Sequence, residues 1–200
     1  MRILLSPSET KSVGGDGGPL DLAALSLPEL TDTRRTVADA LVGMCSDDPD
    51  GARDALGISE KLAEEVTLDA HLWSTPTAPA LSRYTGVLYD ALDAGSFTPA
   101  ARERAGSRLW IGSALFGLLA AADPIPHYRL SAGTQLPGLG TLRSTWRPAL
   151  TAATAGWADE LVVDLRSGGY HQLGPVPGAI TVDVVTEYPD GSRKVVSHFS

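Results

Sequence analysis

Three short apolar runs constrain this chain more than any other feature. They span Arg2–Ser6, Arg108–Leu115 and Glu160–Leu165, and each ends in polar residues. A brief apolar run bounded by turn residues suits a strand buried on both faces, with helices supplying the cover. Helical spacing lies between the runs. Thr31–Met44 has Val37, Leu41 and Met44 on one face, with Thr31 or Asp32 as cap. Asp50–Leu56 reads as a short helix, followed by Gly57 and a second helix from Ser59 to about Ala70. Tyr84–Leu92 is helical at its C-terminal end, and Thr98-Pro99 opens a further helix with threonine as cap. Leu142–Ala155 reads as a helix broken or kinked near Pro148.

Alternating residues in 180–188 and 192–199 flank Asp190-Gly191, a strong hairpin signal. Strands are therefore expected at 2–6, 108–115, 161–165, 180–188 and 192–199. Interleaved helices and a final antiparallel pair give a mixed α/β fold: one domain over 1–200, a mixed sheet flanked by helices and a C-terminal hairpin.

Composition narrows the function classes. Cys45 is the only cysteine, which excludes an internal disulfide framework or a cysteine-based zinc site and fits a reducing cytoplasm. It sits on an apolar helix face and reads as core. The longest apolar stretch, Leu109–Ala122, is interrupted by Gly112, Ser113 and Gly117 and is too short to cross a membrane. The net charge of −8 argues against a general polyanion binder. Residues 101–150 differ: Arg102, Arg104, Arg108, Arg129, Arg143 and Arg147 face only Glu103 and Asp123.

The polar clusters at the strand ends are the first place to look for chemistry, because α/β proteins place ligands there. After the first strand come Ser6, Glu9, Thr10 and Lys11. A lysine here can neutralise an anion or, if desolvated, act as a nucleophile. The spacing of a phosphate-binding P-loop is absent. After the second strand come Ser113 and then Asp123, Tyr128 and Arg129. Arginine offers a planar fork to carboxylate or phosphate, and tyrosine can stack or donate a proton. Asp123 could equally form an ion pair with Arg129 that pins the loop. The third strand ends in Asp164, Arg166 and Ser167, with Tyr170 beyond two glycines. Three such ends suggest one shared pocket. Lys11, Ser113, Arg129 and Arg166 are expected within it, with Tyr84, Tyr89, Tyr128 or Tyr170 beside them. Lys11, Tyr128, Ser113 and Asp123 are the residues considered for catalysis; whether the protein is an enzyme stays open.

Two stretches resemble the turn of a helix-hairpin-helix, whose backbone N–H groups reach DNA phosphate. Leu56-Gly57-Ile58-Ser59 has helical sequence on both sides. Leu136-Pro137-Gly138-Leu139-Gly140 matches the turn itself and leads to Arg143 and Arg147, without an obvious helix before it. His71, His127, His171 and His198 show no HxxxH or HxxE spacing, so no metal or cofactor is expected. No GxSxG elbow is present for a serine hydrolase.

Taken in order, Ser-Pro-Ser-Glu-Thr-Lys (6–11), Leu27-Pro-Glu-Leu30, Tyr84-Thr-Gly-Val-Leu-Tyr89, Ser113-Ala-Leu-Phe-Gly117 and Asp123-Pro-Ile-Pro-His-Tyr-Arg-Leu130 resemble the peroxide stress protein YaaA family. The resemblance implies a bacterial cytoplasmic protein with a positively charged cleft and a helix-hairpin-helix-like element. It also implies a role in limiting free intracellular iron and in binding DNA. Many members have lysine where this chain has Glu9; here the lysine is Lys11. Members usually continue into a Lys- and Arg-rich stretch where this chain stops at His198-Phe199-Ser200, so the chain is expected to be truncated. The expected partners are duplex DNA, bound weakly through its backbone, or a small anionic, nucleotide-like ligand. The protein is expected to be monomeric, with no membrane partner.

Overall fold

The computed structural model describes residues 1–182 and 185–195. In chain order the strands are β1 (Arg2–Leu5), β2 (Ala78–Pro79), β3 (Leu109–Ser113), β4 (Gly117–Ala120), β5 (Pro124–Ile125), β6 (Val162–Asp164), β7 (Ile180–Thr181), β8 (Val185–Glu187) and β9 (Arg193–Val195). The α-helices are α1 (Thr31–Asp47), α2 (Pro49–Leu56), α3 (Ala63–Ala70), α4 (Ala80–Arg83), α5 (Val87–Leu92), α6 (Pro99–Arg108), α7 (Leu142–Ala153) and α8 (Gly168–Leu173). The main sheet is mixed, in the order β4-β3-β1-β6-β7. β1 runs parallel to β3 and β6, with Leu4 beside both Trp110 and Asp164. The three apolar runs are thus the three central strands, and their polar C-terminal ends lie side by side.

Several helix signals act as expected. The Thr98 hydroxyl accepts from the Ala101 amide, with Pro99 at the first helical position. α1 buries Val37, Ala38, Leu41 and Cys45, the 3.6-residue stripe that places it on the core. The Asp190-Gly191 turn closes by a Tyr188–Ser192 backbone bond, and Gly191 has φ 80°.

Four expectations need correction. Neither Thr31 nor Asp32 caps α1: Leu30 holds the cap position, with no side-chain cap bond. The second apolar run ends at Ser113, and the chain turns straight back as β4, antiparallel to β3. Gly117 makes that return possible: its φ is 75°, and a Cβ there would lie 2.7 Å from the Trp146 ring. α7 runs unbroken through Pro148. Pro148 and the residue four before it, Ser144, both face solvent, while Leu142, Trp146 and Leu150 bury the opposite face and offset the missing amide bond. The run 180–188 does not form one strand. Its start, β7, pairs with β6 in the main sheet, and its end, β8, pairs with β9. Residues 183–184 and 196–199 of the expected final strands lie outside the described residues.

Two buried arginines knit the loops to this core. Arg34 donates from α1 to the carbonyls of Phe116, Leu118 and Leu27. Arg83 donates to the carbonyls of Ile125, Ser12 and Gly14. Each satisfies several loop carbonyls at once, so the guanidinium does the work of missing backbone pairing.

Candidate functional site

A cavity of about 690 Å³ opens at the polar ends of the central strands. Of the residues expected to bind, Ser6, Glu9, Thr10, Tyr89, Arg129, Ser167 and Tyr170 line it. β1 delivers the loop from Ser6 to Lys11, and β6 delivers Ser167, whose amide donates to the Ser6 hydroxyl at 2.6 Å. The Tyr89 hydroxyl donates to the Ser6 carbonyl at 2.7 Å, fixing α5 against the same loop. Lys11 bridges in antiparallel fashion to Tyr84, and Thr85 donates its amide to the Thr10 carbonyl.

Behind this wall lies a compact polar floor. The Lys11 ammonium nitrogen stands 4.2 Å from the centre of the Tyr128 ring and 5.3 Å from that of Tyr84. It donates to the Ser8 carbonyl at 3.1 Å. Burial lowers its pKa to about 8; Glu9 works to raise it and Arg129 to lower it further. The hydroxyls of Tyr84, Tyr128 and Ser113 form a line with 2.7 Å at each step. Ser113 already accepts from the amides of Leu115 and Phe116, so its own proton goes to Tyr128. Burial pushes Tyr84 up to about 12 and Tyr128 well above its usual range. Both phenols stay protonated at neutral pH.

Arg129 connects wall and floor. Its side chain donates to the Glu9 carbonyl and meets the Glu9 carboxylate at 3.2 Å, partly in solvent. Its amide donates to the Asp69 carboxylate at 2.9 Å. Asp69 is fully buried, its second oxygen has no partner among the described residues, and burial holds it well above the usual carboxylate range. His127 in the same loop meets the Glu65 carboxylate at 2.6 Å and donates to the Ser12 carbonyl.

Not every expected residue joins the cavity. Asp164 and Arg166 are spent on each other: the guanidinium meets the carboxylate at 2.7 and 2.9 Å, with neither side chain exposed. Burial pushes Asp164 up, but its bonds from Arg166 and His171 outweigh that and leave it below the usual range. Asp123 lies elsewhere and forms no pair with Arg129. Its carboxylate accepts from the amide and hydroxyl of Ser26 and from the Ala120 amide, closing the turn after β4. Gly138 has φ 72° in a tight turn, and Gly140 packs on Ser144. Arg143 and Arg147 are exposed on α7. No helix leads directly into the 136–140 turn, whereas α2 and α3 flank Leu56–Ser59. Leu56 and Gly57 of that second turn line the cavity.

Sequence reasoning missed Ser131, Thr85, Val87 and Leu88 in the lining, and Asp69, Glu65 and Arg83 behind it. Val87 and Leu88 carried a usable signal, apolar residues at the solvent-facing start of a short helix. Among the described residues, no group of three or more His, Cys, Asp or Glu could hold a metal ion, and no helix is long and apolar enough to cross a membrane.

A family model described as peroxide stress protein YaaA matches residues 1–200. The chain belongs to the YaaA peroxide stress protein family. A UPF0246 protein of Corynebacterium efficiens is 55% identical over 204 residues, covering 100% of this chain and 80% of that protein. Another from Streptomyces coelicolor is 43% identical, covering 100% of this chain and 78% of its own length. A more distant UPF0246 protein of Flavobacterium johnsoniae is 33% identical over 166 residues.

Proposed function

We propose that this YaaA-family protein acts in the cytoplasm under peroxide stress by holding a small anionic, nucleotide-like ligand in the cavity between the ends of β1 and β6. One observation carries the reading: Arg129 and six serine and threonine side chains, Ser6, Ser8, Thr10, Thr85, Ser131 and Ser167, line one opening. Hydroxyls and an arginine fork suit phosphate oxygens. Tyr170 and the exposed Val87 and Leu88 supply a flat or apolar surface for a base. The Glu9 carboxylate sits where a ligand anion would pair with Arg129. A partly exposed pair of this kind is cheaper to exchange than a buried one. Binding of nucleoside monophosphates, measured by calorimetry, should weaken at least about tenfold in Arg129→Ala, the cost of one charge-assisted fork. Equal affinity in the variant would reject the reading.

DNA binding is a second reading, favoured by Leu56 and Gly57. Their helix-flanked turn lines the same cavity, so a strand tracking the turn could offer it a nucleotide. The exposed arginines of α6 and α7 would add phosphate contacts. Lower free iron is the expected cellular outcome: cells lacking the protein should hold more chelatable iron after peroxide, and this chain should restore the level.

A further inference from the structure

We propose that Lys11 is an imine-forming lysine, condensing with the aldehyde or ketone of an anionic sugar phosphate held in the cavity. This rests on the ligand reading above and extends it to a reaction and a substrate class.

The geometry separates Lys11 from an ordinary ion-pairing lysine. Its nitrogen lies over two tyrosine rings. It sits directly behind the lining residue Ser8, whose carbonyl accepts its one hydrogen bond among the described residues. The charged groups around it are Glu9 of its own loop, Arg129 of the loop after β5, and Glu65 and Asp69 of α3. Among the described residues, none of these carboxylates reaches ion-pair distance of the amine; Glu9 is turned to Arg129 and Glu65 to His127. A lysine with a pKa of about 8 keeps a sizeable share of free amine at neutral pH, where a solvated lysine keeps almost none. Arg129 draws the phosphate to the same wall.

The step balances without any other reactant. The Nζ lone pair adds to the carbonyl carbon, forming a C–N bond, while one amine proton passes to the oxygen. The C–O bond then breaks, the nitrogen pair forms the C=N bond, and the oxygen leaves as water with the second amine proton. Nothing is oxidised or reduced. Conversion of the imine to a stable secondary amine needs an added hydride donor, and that provides the test.

The chain has only three lysines, Lys11, Lys61 and Lys194, so a peptide map reads the outcome directly. Intact protein is treated with 2-deoxyribose 5-phosphate and cyanoborohydride at about pH 7.5, where the free-amine fraction at pKa 8 is roughly two hundredfold that of an ordinary lysine. Lys11 should be labelled at least about tenfold faster than Lys61 and Lys194, after allowing for the weaker base. Unphosphorylated 2-deoxyribose should label it more slowly. Lys11→Arg keeps the charge and should abolish the adduct; where that variant does not fold, the within-protein comparison of three lysines decides alone. A parallel arm with a short duplex carrying an abasic site shows whether the sugar phosphate comes free or within a strand: an adduct in either arm supports the proposal and names the source. Labelling of Lys11 no faster than the other two in both arms overturns it. Nucleoside monophosphate binding that still depends on Arg129 would then leave the ligand reading standing, and loss of that dependence too would remove both.

Discussion

Two arginine–carboxylate pairs stand at the ends of neighbouring strands, and they differ in one respect that decides their roles. Arg166 and Asp164 meet at 2.7 Å with both side chains at 0% exposure. Arg129 and Glu9 meet at 3.2 Å with 20% and 38% exposed. The closed pair has no spare valence: Asp164 accepts from the Arg166 backbone and side chain and from His171, and Arg166 also donates to the Gly174 carbonyl. It holds α8, and so Tyr170 and Ser167, at the cavity. The open pair can trade its carboxylate for another anion. Identical residue types thus serve as scaffold in one place and as a binding group in the other, and burial makes the difference.

Breaking the closed pair should have the largest effect. Arg166→Ala leaves Asp164 buried and unpaired, which costs roughly 3–5 kcal/mol. At about 2–4 °C per kcal/mol for a chain of this size, melting should fall by roughly 6–20 °C. Asp164 titrates below its usual value, so its stabilisation is present above about pH 4, the unfolded value, and is lost as pH falls through the folded one. Acid unfolding followed by circular dichroism should lose that component in the variant. A melt unchanged by Arg166→Ala would show that the pair is not scaffold.

Lys11 comes next. Its folded pKa is lowered, so the unfolded chain binds the extra proton between about pH 8 and about 10.5. Wild-type stability should therefore rise through that window relative to Lys11→Met, and the variant should be the more stable of the two at neutral pH. A flat difference across the window would place the amine in solvent.

Arg129→Ala should change stability by only about 1 kcal/mol, as expected for a partly exposed pair. Glu9→Gln should strengthen anion binding a few-fold, because it removes the internal competitor; weaker binding would show that Glu9 assists the ligand instead. The smallest effect concerns DNA. Arg143→Ala with Arg147→Ala should lower the salt slope by about one unit per lost phosphate contact. Binding should be weak in a chain of charge −8. Tight binding insensitive to salt would contradict a backbone-contact account.

Much of the framework was legible because it rests on local signals. The three apolar runs, the Thr98-Pro99 cap and the Asp190-Gly191 turn each act over a few residues. β4 was not legible: Gly-Leu-Leu-Ala carries no β-branched residue, and its pairing depends on Gly117 fitting under Trp146. The site was legible as a set of strand ends, since parallel neighbours bring their C-terminal residues together. Sequence could not tell which arginine stays open, because Asp164-Leu-Arg166 and Glu9 with Arg129 are told apart only by burial. Asp69 and Glu65 lay hidden on α3, whose approach to the 127–129 loop is long-range in sequence.

The most direct measurement is a backbone and arginine side-chain NMR titration with a nucleoside monophosphate. The account predicts saturable shifts at Arg129, Glu9, Ser131 and Tyr170, a shifted Arg129 side-chain resonance as Glu9 is displaced, and a silent Asp164–Arg166 pair. Shifts that centre on Arg166 and His171, or on α7 with the cavity unmoved, would contradict it.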